Sequence, residues 1–165
     1  MPKNFKPFMG KGDLGATDLF GGRRVPKTDR RIKLNALLDE LSALLGQAKA
    51  GMKDRGDKKG ISAVQKDLLL ACGVIAGMKA DLAPAAAALA ARIKTGAADV
   101  KPLKKFVLSG KNKLEALLHL ARARTRICEI LAWEIKARAA AAYLNRLSDY
   151  LFLEALKHAR RRPSA

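Results

Sequence analysis

The sequence predicts an all-α fold, a five-helix up-and-down bundle preceded by a glycine-rich, basic N-terminal loop. Three observations predict it. Aromatic residues make up only 5 % of the chain while alanine and leucine abound, which favours packed helices over sheets. Apolar residues recur at three-and-four spacing in separate segments. The links between those segments are short, as neighbouring antiparallel helices require, and all but the last carry glycine or proline. With 165 residues the chain is long enough for a proper core, and one domain over 1–165 is expected, with a loop over 1–28, helices over 29–160 and a basic tail over 161–165.

Residues 1–28 hold Pro2, Pro7, Pro26 and five glycines from Gly10 to Gly22, so they read as a loop that orders around a ligand. Asp29 caps a first helix whose apolar positions are Ile32, Leu34, Leu37, Leu38, Leu41, Leu44 and Leu45, ending at Gly46 or Gly51. The charged segment GMKDRGDKKG reads as a solvated connection. A second helix runs from Ile61 to about Met78, apolar around much of its circumference, and should lie deep in the bundle. Pro84 sits in the first turn of an alanine-rich third helix that stops near Lys94, before Gly96. After a Pro-to-Gly link ending at Ser109-Gly110, a fourth helix covers Lys111 to about Lys136 and a fifth Ala139 to about Arg160, with no glycine or proline marking the boundary between them.

The net charge of +18 calls for an anionic partner: a nucleic acid, an acidic lipid surface or a polyphosphate such as ATP. No groove-reading helix or base-stacking motif supports nucleic acid. The start, MPKNFKPFMGKGD, lacks the apolar stretch of a secretory signal, and the longest apolar run, Leu68 to Met78, is too short to cross a bilayer. A soluble, cytoplasmic protein is expected. Cys72 and Cys128 lie in apolar helical patterns and read as reduced, packed thiols.

The stretch GKGDLGATDLFGGRRVPKTDRR is the one that helix packing does not explain. Its glycines allow close backbone approach and Lys11, Arg23, Arg24, Lys27, Arg30 and Arg31 supply charge, a composition suited to wrapping an anion. Gly10, Gly12 and Gly15 spell G-x-G-x-x-G, but neither the preceding strand nor the following helix of a dinucleotide fold is there. On the fourth helix Arg122, Arg126 and Glu129 share a face with His119, and two guanidiniums one turn apart can grip phosphates or carboxylates in a fork. Arg124 lies on another face, towards solvent. On the fifth helix Asn145, Arg146 and Asp149 interrupt an apolar run; Arg146 and Asp149 read as an internal pair, with Asn145 facing a ligand or another helix. Asp39 reads as a buried acid in search of an arginine. Neither His119 nor His158 is read as having a cysteine or carboxylate at metal-ligand spacing, so no protein metal site is expected. Chemistry on such a chain should rest on positioning and charge, the reactive group coming from a cofactor.

Several blocks together, in order over about residues 9 to 153, resemble the ATP:corrinoid adenosyltransferases of the PduO type. KGDLGATDLFGGRRVPKTDRR is similar to the family's T-x-x-G-D-x-G-T-T-x-L-x-G-G-x-R-V-x-K-D-D-x-R, LLDELSALLG to its V-D-E-L-N helix, and VQKDLL to its I-Q-x-x-L helix. FVLSG from Phe106 resembles F-I-L-P-G, LHLARARTR resembles the start of L-H-x-A-R-T-V-C-R-R-A-E-R, and YLNRLSDYLF resembles the closing signature. The resemblance implies a ferritin-like bundle assembled as a homotrimer, with ATP and its divalent cation (Mg2+) and a corrinoid held between subunits. It implies attack of cob(I)alamin on C5′ of ATP, giving adenosylcobalamin and triphosphate, and a reductase or a B12-dependent enzyme as further partner. It implies that Gly12, Asp13, Gly15, Thr17 and Lys27 wrap ATP and that Arg126, Glu129 and Asn145 complete that site. It further implies that Arg122 pairs with Asp39 near the corrinoid and that Phe106 covers the lower face of the ring; Arg126, Phe106 and Arg122 are the catalytic candidates. The chain departs from the pattern at Met9, Gly10, Lys11 and Ala16, in the run Lys33 to Leu37, and at Ile127 and Ile130, where arginines are expected. A relative that binds ATP or corrinoid without turnover is the alternative reading, and a basic nucleic-acid-binding bundle a second.

Overall fold

The computed structural model describes residues 10–98, 100 and 106–160. The tail over 161–165, the link residues 101–105 and the departure at Met9 lie outside them. Five helices form the body: α1 (Arg30–Gly51), α2 (Arg55–Ile75), α3 (Ala83–Ala98), α4 (Lys113–Glu134) and α5 (Arg138–Arg160).

Asp29 caps α1 as its sequence position implies, its side chain accepting from the Arg31 amide at 2.9 Å. Leu34, Leu38, Leu41, Leu45 and Ala48 then form one fully buried stripe. The second helix begins six residues earlier than expected. Asp54 accepts from the Asp57 amide at 2.8 Å and so starts a helix inside the segment that reads as a solvated link. Gly60 falls within it because the Tyr150 hydroxyl stands 2.7 Å from where a Cβ would be. Nor does α2 lie deep: Ile61, Val64, Leu68, Ala71 and Ile75 are buried along one stripe, while Leu69 is 73 % exposed. It ends where Gly77, at φ +107°, lets the Met78 amide reach Gly73 O and its own amide reach Val74 O.

Pro84 sits in the first turn of α3 as expected, but α3 continues through Gly96 to Ala98. Leu153 of α5 lies 3.7 Å from the Gly96 Cβ position, so the glycine brings α3 against α5 instead of breaking it. The boundary between α4 and α5 is made by Lys136 at φ +60°: the Lys136 amide bonds Trp133 O and the Ala137 amide bonds Ala132 O, the same closure that Gly77 makes for α2. Across the bundle the helices neighbour one another in the order α2, α1, α4, α5, α3, with α4 and α5 sharing the most extensive interface and α2 touching α5.

The N-terminal stretch is not only loop. Ala16–Asp18 (β1) and Arg24–Pro26 (β2) pair antiparallel, Thr17 opposite Val25, around a turn in which Gly21 and Gly22 take φ of +83° and +82°. Leu19 and Val25 are buried, and the Phe20 amide donates to Ala76 O at 3.1 Å, which docks the hairpin on the end of α2.

Two outcomes follow for stability. Replacing Lys136 with glycine relieves a left-handed conformation in a lysine and should stabilise the chain by about 1 kcal/mol, read from the urea midpoint; a destabilised variant would contradict the assignment of the αL turn. Asp29 carries a carboxyl held down to about 2 by the Arg31 side chain, then by the Arg31 amide. Its folded value lies below the unfolded value near 3.9, so its contribution is complete above that pH and is lost as pH falls through about 2. The stability difference between the native chain and Asp29→Asn should therefore shrink between about pH 4 and 2, and a pH-independent difference would rule it out.

Candidate functional site

The glycine-rich arm presents its residues in a defined order. Gly10 and Gly15 adopt φ of +81° and +74°, and the Lys27 amide bonds Gly15 O at 2.8 Å, closing the base of the hairpin. Gly12 serves a close approach: the Lys27 Nζ and Cε atoms stand 3.1 and 3.2 Å from where its Cβ would be. Gly12, Asp13, Gly15, Thr17 and Lys27 are thus gathered in one small arm, Asp13 and Lys27 exposed and Thr17 half-buried. Two of the basic residues are used internally. Lys11 and Arg24 pair with Asp18 at 3.0 and 3.4 Å, Arg24 also donates to Lys11 O at 2.8 Å, and Lys11, ahead of Arg24, holds the Asp18 carboxyl below its usual range.

The second group lies on the outer faces of α4 and α5. Arg126 is exposed one turn before Glu129, and Asn145 donates to Glu129 at 3.2 Å, so these three are brought together as a patch. Arg30 pairs with Glu134 at 3.0 Å and ties the start of α1, where the hairpin is attached, to the end of α4. Arm and patch therefore share one end of the bundle, but among the described residues no hydrogen bond or ion pair joins them within the chain.

The corrinoid-side candidates are more dispersed. Arg122 lies over the Phe152 ring at 5.0 Å, a cation–π contact. Asp39 is exposed rather than buried, beside Cys72, and no ion pair links it to Arg122 among the described residues. Phe106 is fully exposed ahead of α4, with Leu108. Two further expectations are corrected. Arg124 is half-buried and pairs with Glu40 at 2.8 Å instead of facing solvent. Arg146 and Asp149 are both exposed and form no pair; Arg146 donates to Ala142 O. They alternate with the buried Leu144, Leu147 and Leu151, and the helical spacing turns them outward. Asn145 is exposed as well and meets another helix, one of the two expected settings, its partner being Glu129 of α4.

Cys72 and Cys128 are free thiols, the first half-buried and the second buried. Burial pushes them up to about 11 and about 12, Asp39 adding to the first, so neither is a thiolate nucleophile near neutral pH.

Sequence reasoning missed two histidine–carboxylate pairs. Glu115 and His119, and Glu154 and His158, each stand four residues apart, a spacing that puts both side chains on one helical face. That spacing was the available signal, and it corrects the reading that the histidines lack carboxylates at ligand distance. His158 lies 3.4 Å from Asp57 and 3.8 Å from Glu154, and the three ligand atoms fall within 4.8 Å of one another. Lys157 also bonds Asp57, so the group is an ion-pair network that fastens the first turn of α2 to the end of α5. A cavity of about 650 Å³ opens beside it, lined by Arg92, Tyr150, Glu154 and Lys157 among others; none of the site residues expected from the sequence lines it. No described helix is long and apolar enough to cross a membrane.

The family model described as cobalamin adenosyltransferase matches residues 8–158. The corrinoid adenosyltransferase PduO of Salmonella typhimurium is 34 % identical over 154 residues, covering 86 % of this chain and 46 % of that protein. The chain thus spans about half the length of that relative. The corrinoid adenosyltransferases of Citrobacter freundii and Bacillus subtilis are 35 % and 33 % identical and are covered over 88 % and 81 % of their lengths, against 86 % and 87 % of this chain. A phenylalanine-to-histidine variant of the PduO-type ATP:corrinoid adenosyltransferase from Lactobacillus reuteri, complexed with cobalamin and ATP, superposes with a TM-score of 0.83 at 25 % identity, over 91 % of this chain and 89 % of that one. A match running from the arm through the closing signature of α5 is that of a whole fold with its site-bearing segments, and the chain belongs to the cobalamin adenosyltransferase family.

Proposed function

We propose that the protein transfers the 5′-deoxyadenosyl group of ATP to cob(I)alamin. The bond between cobalt and C5′ forms as the C5′–O5′ bond breaks, and triphosphate leaves with its charge. The cobalt is the nucleophile and needs no protein base, so the protein's part is to orient ATP and neutralise the leaving group. Lys27, folded against Gly12, supplies a cation over a backbone free of side chains; Gly15 and Thr17 complete the cradle, with Asp13 at its edge. ATP enters with a divalent cation, such as Mg2+, as part of the substrate. Arg126 faces the triphosphate, and Asn145 fixes Glu129 beside it.

The observation that carries this reading is the pairing of that arm with the Arg126–Glu129–Asn145 patch in a chain whose family match spans both. The site is completed between copies, in a homotrimer. Phe106 precedes α4 and the hairpin docks near its far end, and the 22 residues of α4 span about 33 Å. One chain's arm and one chain's Phe106 therefore do not flank the same cobalt–carbon bond. Arg122 meets Asp39 across that contact, and Phe106 covers the lower axial face of the ring. Exposed Leu120, Ile127, Ile130 and Trp133 along α4 supply an apolar surface for assembly.

A second reading, binding without turnover, is favoured by one observation: Ile127 and Ile130 sit on that apolar surface where arginines are expected, and Lys11 is engaged with Asp18 instead of standing free to replace them. Following the conversion of cob(I)alamin to adenosylcobalamin with ATP decides between the two. Turnover is expected; ATP binding by calorimetry with no product from a folded oligomer would select the second reading. Arg126→Ala should lower kcat about a hundred- to a thousand-fold, about 3–4 kcal/mol of transition-state stabilisation. An unchanged kcat in that variant would remove Arg126 from the proposed role.

A further inference from the structure

Glu115 is fully buried, and a buried carboxylate needs partners. Its Oε2 accepts from the Gly110 amide at 2.8 Å and from the Lys111 amide at 3.0 Å. An acid at this position of a helix ordinarily reaches back to the capping residue itself. Here the cap is Asn112, which accepts from the Glu115 amide at 2.9 Å, and Glu115 reaches past it to two amides outside the helix. Gly110, at φ +111°, turns its amide inward to meet it.

The other oxygen faces along α4. Glu115 Oε1 lies 3.2 Å from His119 Nε2, both atoms are out of solvent, and neither has a hydrogen-bond partner among the described residues, so this polar contact is what seats the ring. The His119 ring is tilted 60° to Phe152 with centroids 6.0 Å apart, and Arg122 lies over the same Phe152 ring. A continuous series therefore runs from Gly110 through Glu115, His119 and Phe152 to Arg122. Asn112 ties the same loop to α5 by donating to His158 O at 3.0 Å.

We infer that Glu115 is a positioning residue, with His119 as its relay: one oxygen tethers the loop that presents Phe106, and the other sets the ring on which Arg122 rests. What Phe106 and Arg122 do for the corrinoid rests on the function proposed above; the tether itself does not. A helix cap alone would stabilise α4 without distinguishing one substrate from the other.

The full-length chain, Glu115→Ala, Glu115→Gln and His119→Phe are compared by two readouts: amide exchange of the 106–112 segment, and KM for corrinoid against KM for ATP. Glu115→Ala should speed exchange of the segment about tenfold and raise corrinoid KM about tenfold while ATP KM stays within about twofold. Glu115→Gln keeps an oxygen for the two amides and an N–H for the ring, and should return both to near the native values. His119→Phe leaves the cap and the ring stack in place, so it folds where Glu115→Ala does not, and it should raise corrinoid KM without changing exchange of the loop. Unchanged exchange in Glu115→Ala, parallel rises in both KM values, or a glutamine variant as impaired as alanine would overturn the inference. A native chain without turnover would sink the proposed function instead, and the exchange readout, which needs no turnover, would still decide this one.

Discussion

The close contact of α4 with α5 is the constraint on which the rest depends. Many of the buried residues of the two helices are small, Ala121, Thr125, Cys128 and Ala132 on α4 and Ala140, Ala141, Ser148 and Ala155 on α5, which lets backbones approach closely. The hydroxyls among them are satisfied locally, Thr125 by Ala121 O and Ser148 by Asn145 O. Contacts then cross the interface at three levels: Glu129 with Asn145, His119 and Arg122 with Phe152, and Asn112 with the His158 carbonyl. A slip of either helix by one turn would break all three together. The register of the proposed site is thus a property of the core beneath it.

The distribution of charge follows from the same frame. Several acids within reach of a cation fasten one helix to another, Glu40 to Arg124, Glu134 to Arg30 and Asp57 to Lys157, while Asp18 and Asp29 pair locally with Lys11, Arg24 and Arg31. With 33 basic residues against 15 acidic ones, the surplus stays on the surface, where it raises the local concentration of anions near the arm. Exposed pairs of this kind contribute little each, and their value lies in direction. Arg30 with Glu134 holds the hairpin end of the bundle closed beneath the arm.

Much of the fold is legible in the sequence because its signals are local. Asp29 and the leucine spacing of α1, and Pro84 at the start of α3, act within a turn or two of themselves. Where the reading failed, a distant residue decided the outcome. Gly56 and Gly60 look like breakers until Asp54 caps the helix ahead of them and Tyr150, ninety residues away from Gly60 in sequence, fills the space beside it. Lys136 carries no composition signal for a turn, since its left-handed conformation is imposed by the two helices that meet there. The site was legible as motifs, Gly12 with Lys27 and Glu129 with Asn145, but not as partners such as Phe152 for Arg122. A cation–π contact leaves no fixed spacing when its members sit on different helices.

The hairpin has one more consequence. Its strands pair with each other, Leu19 and Val25 are buried, and the Phe20 amide closes on the last carbonyl of α2, all through contacts within the chain. The conformational entropy of the arm is therefore surrendered when the chain folds, not when an anion arrives. On the proposed function, affinity for the triphosphate of ATP becomes a share of folding stability held in advance, and the end of α2 becomes its guarantor.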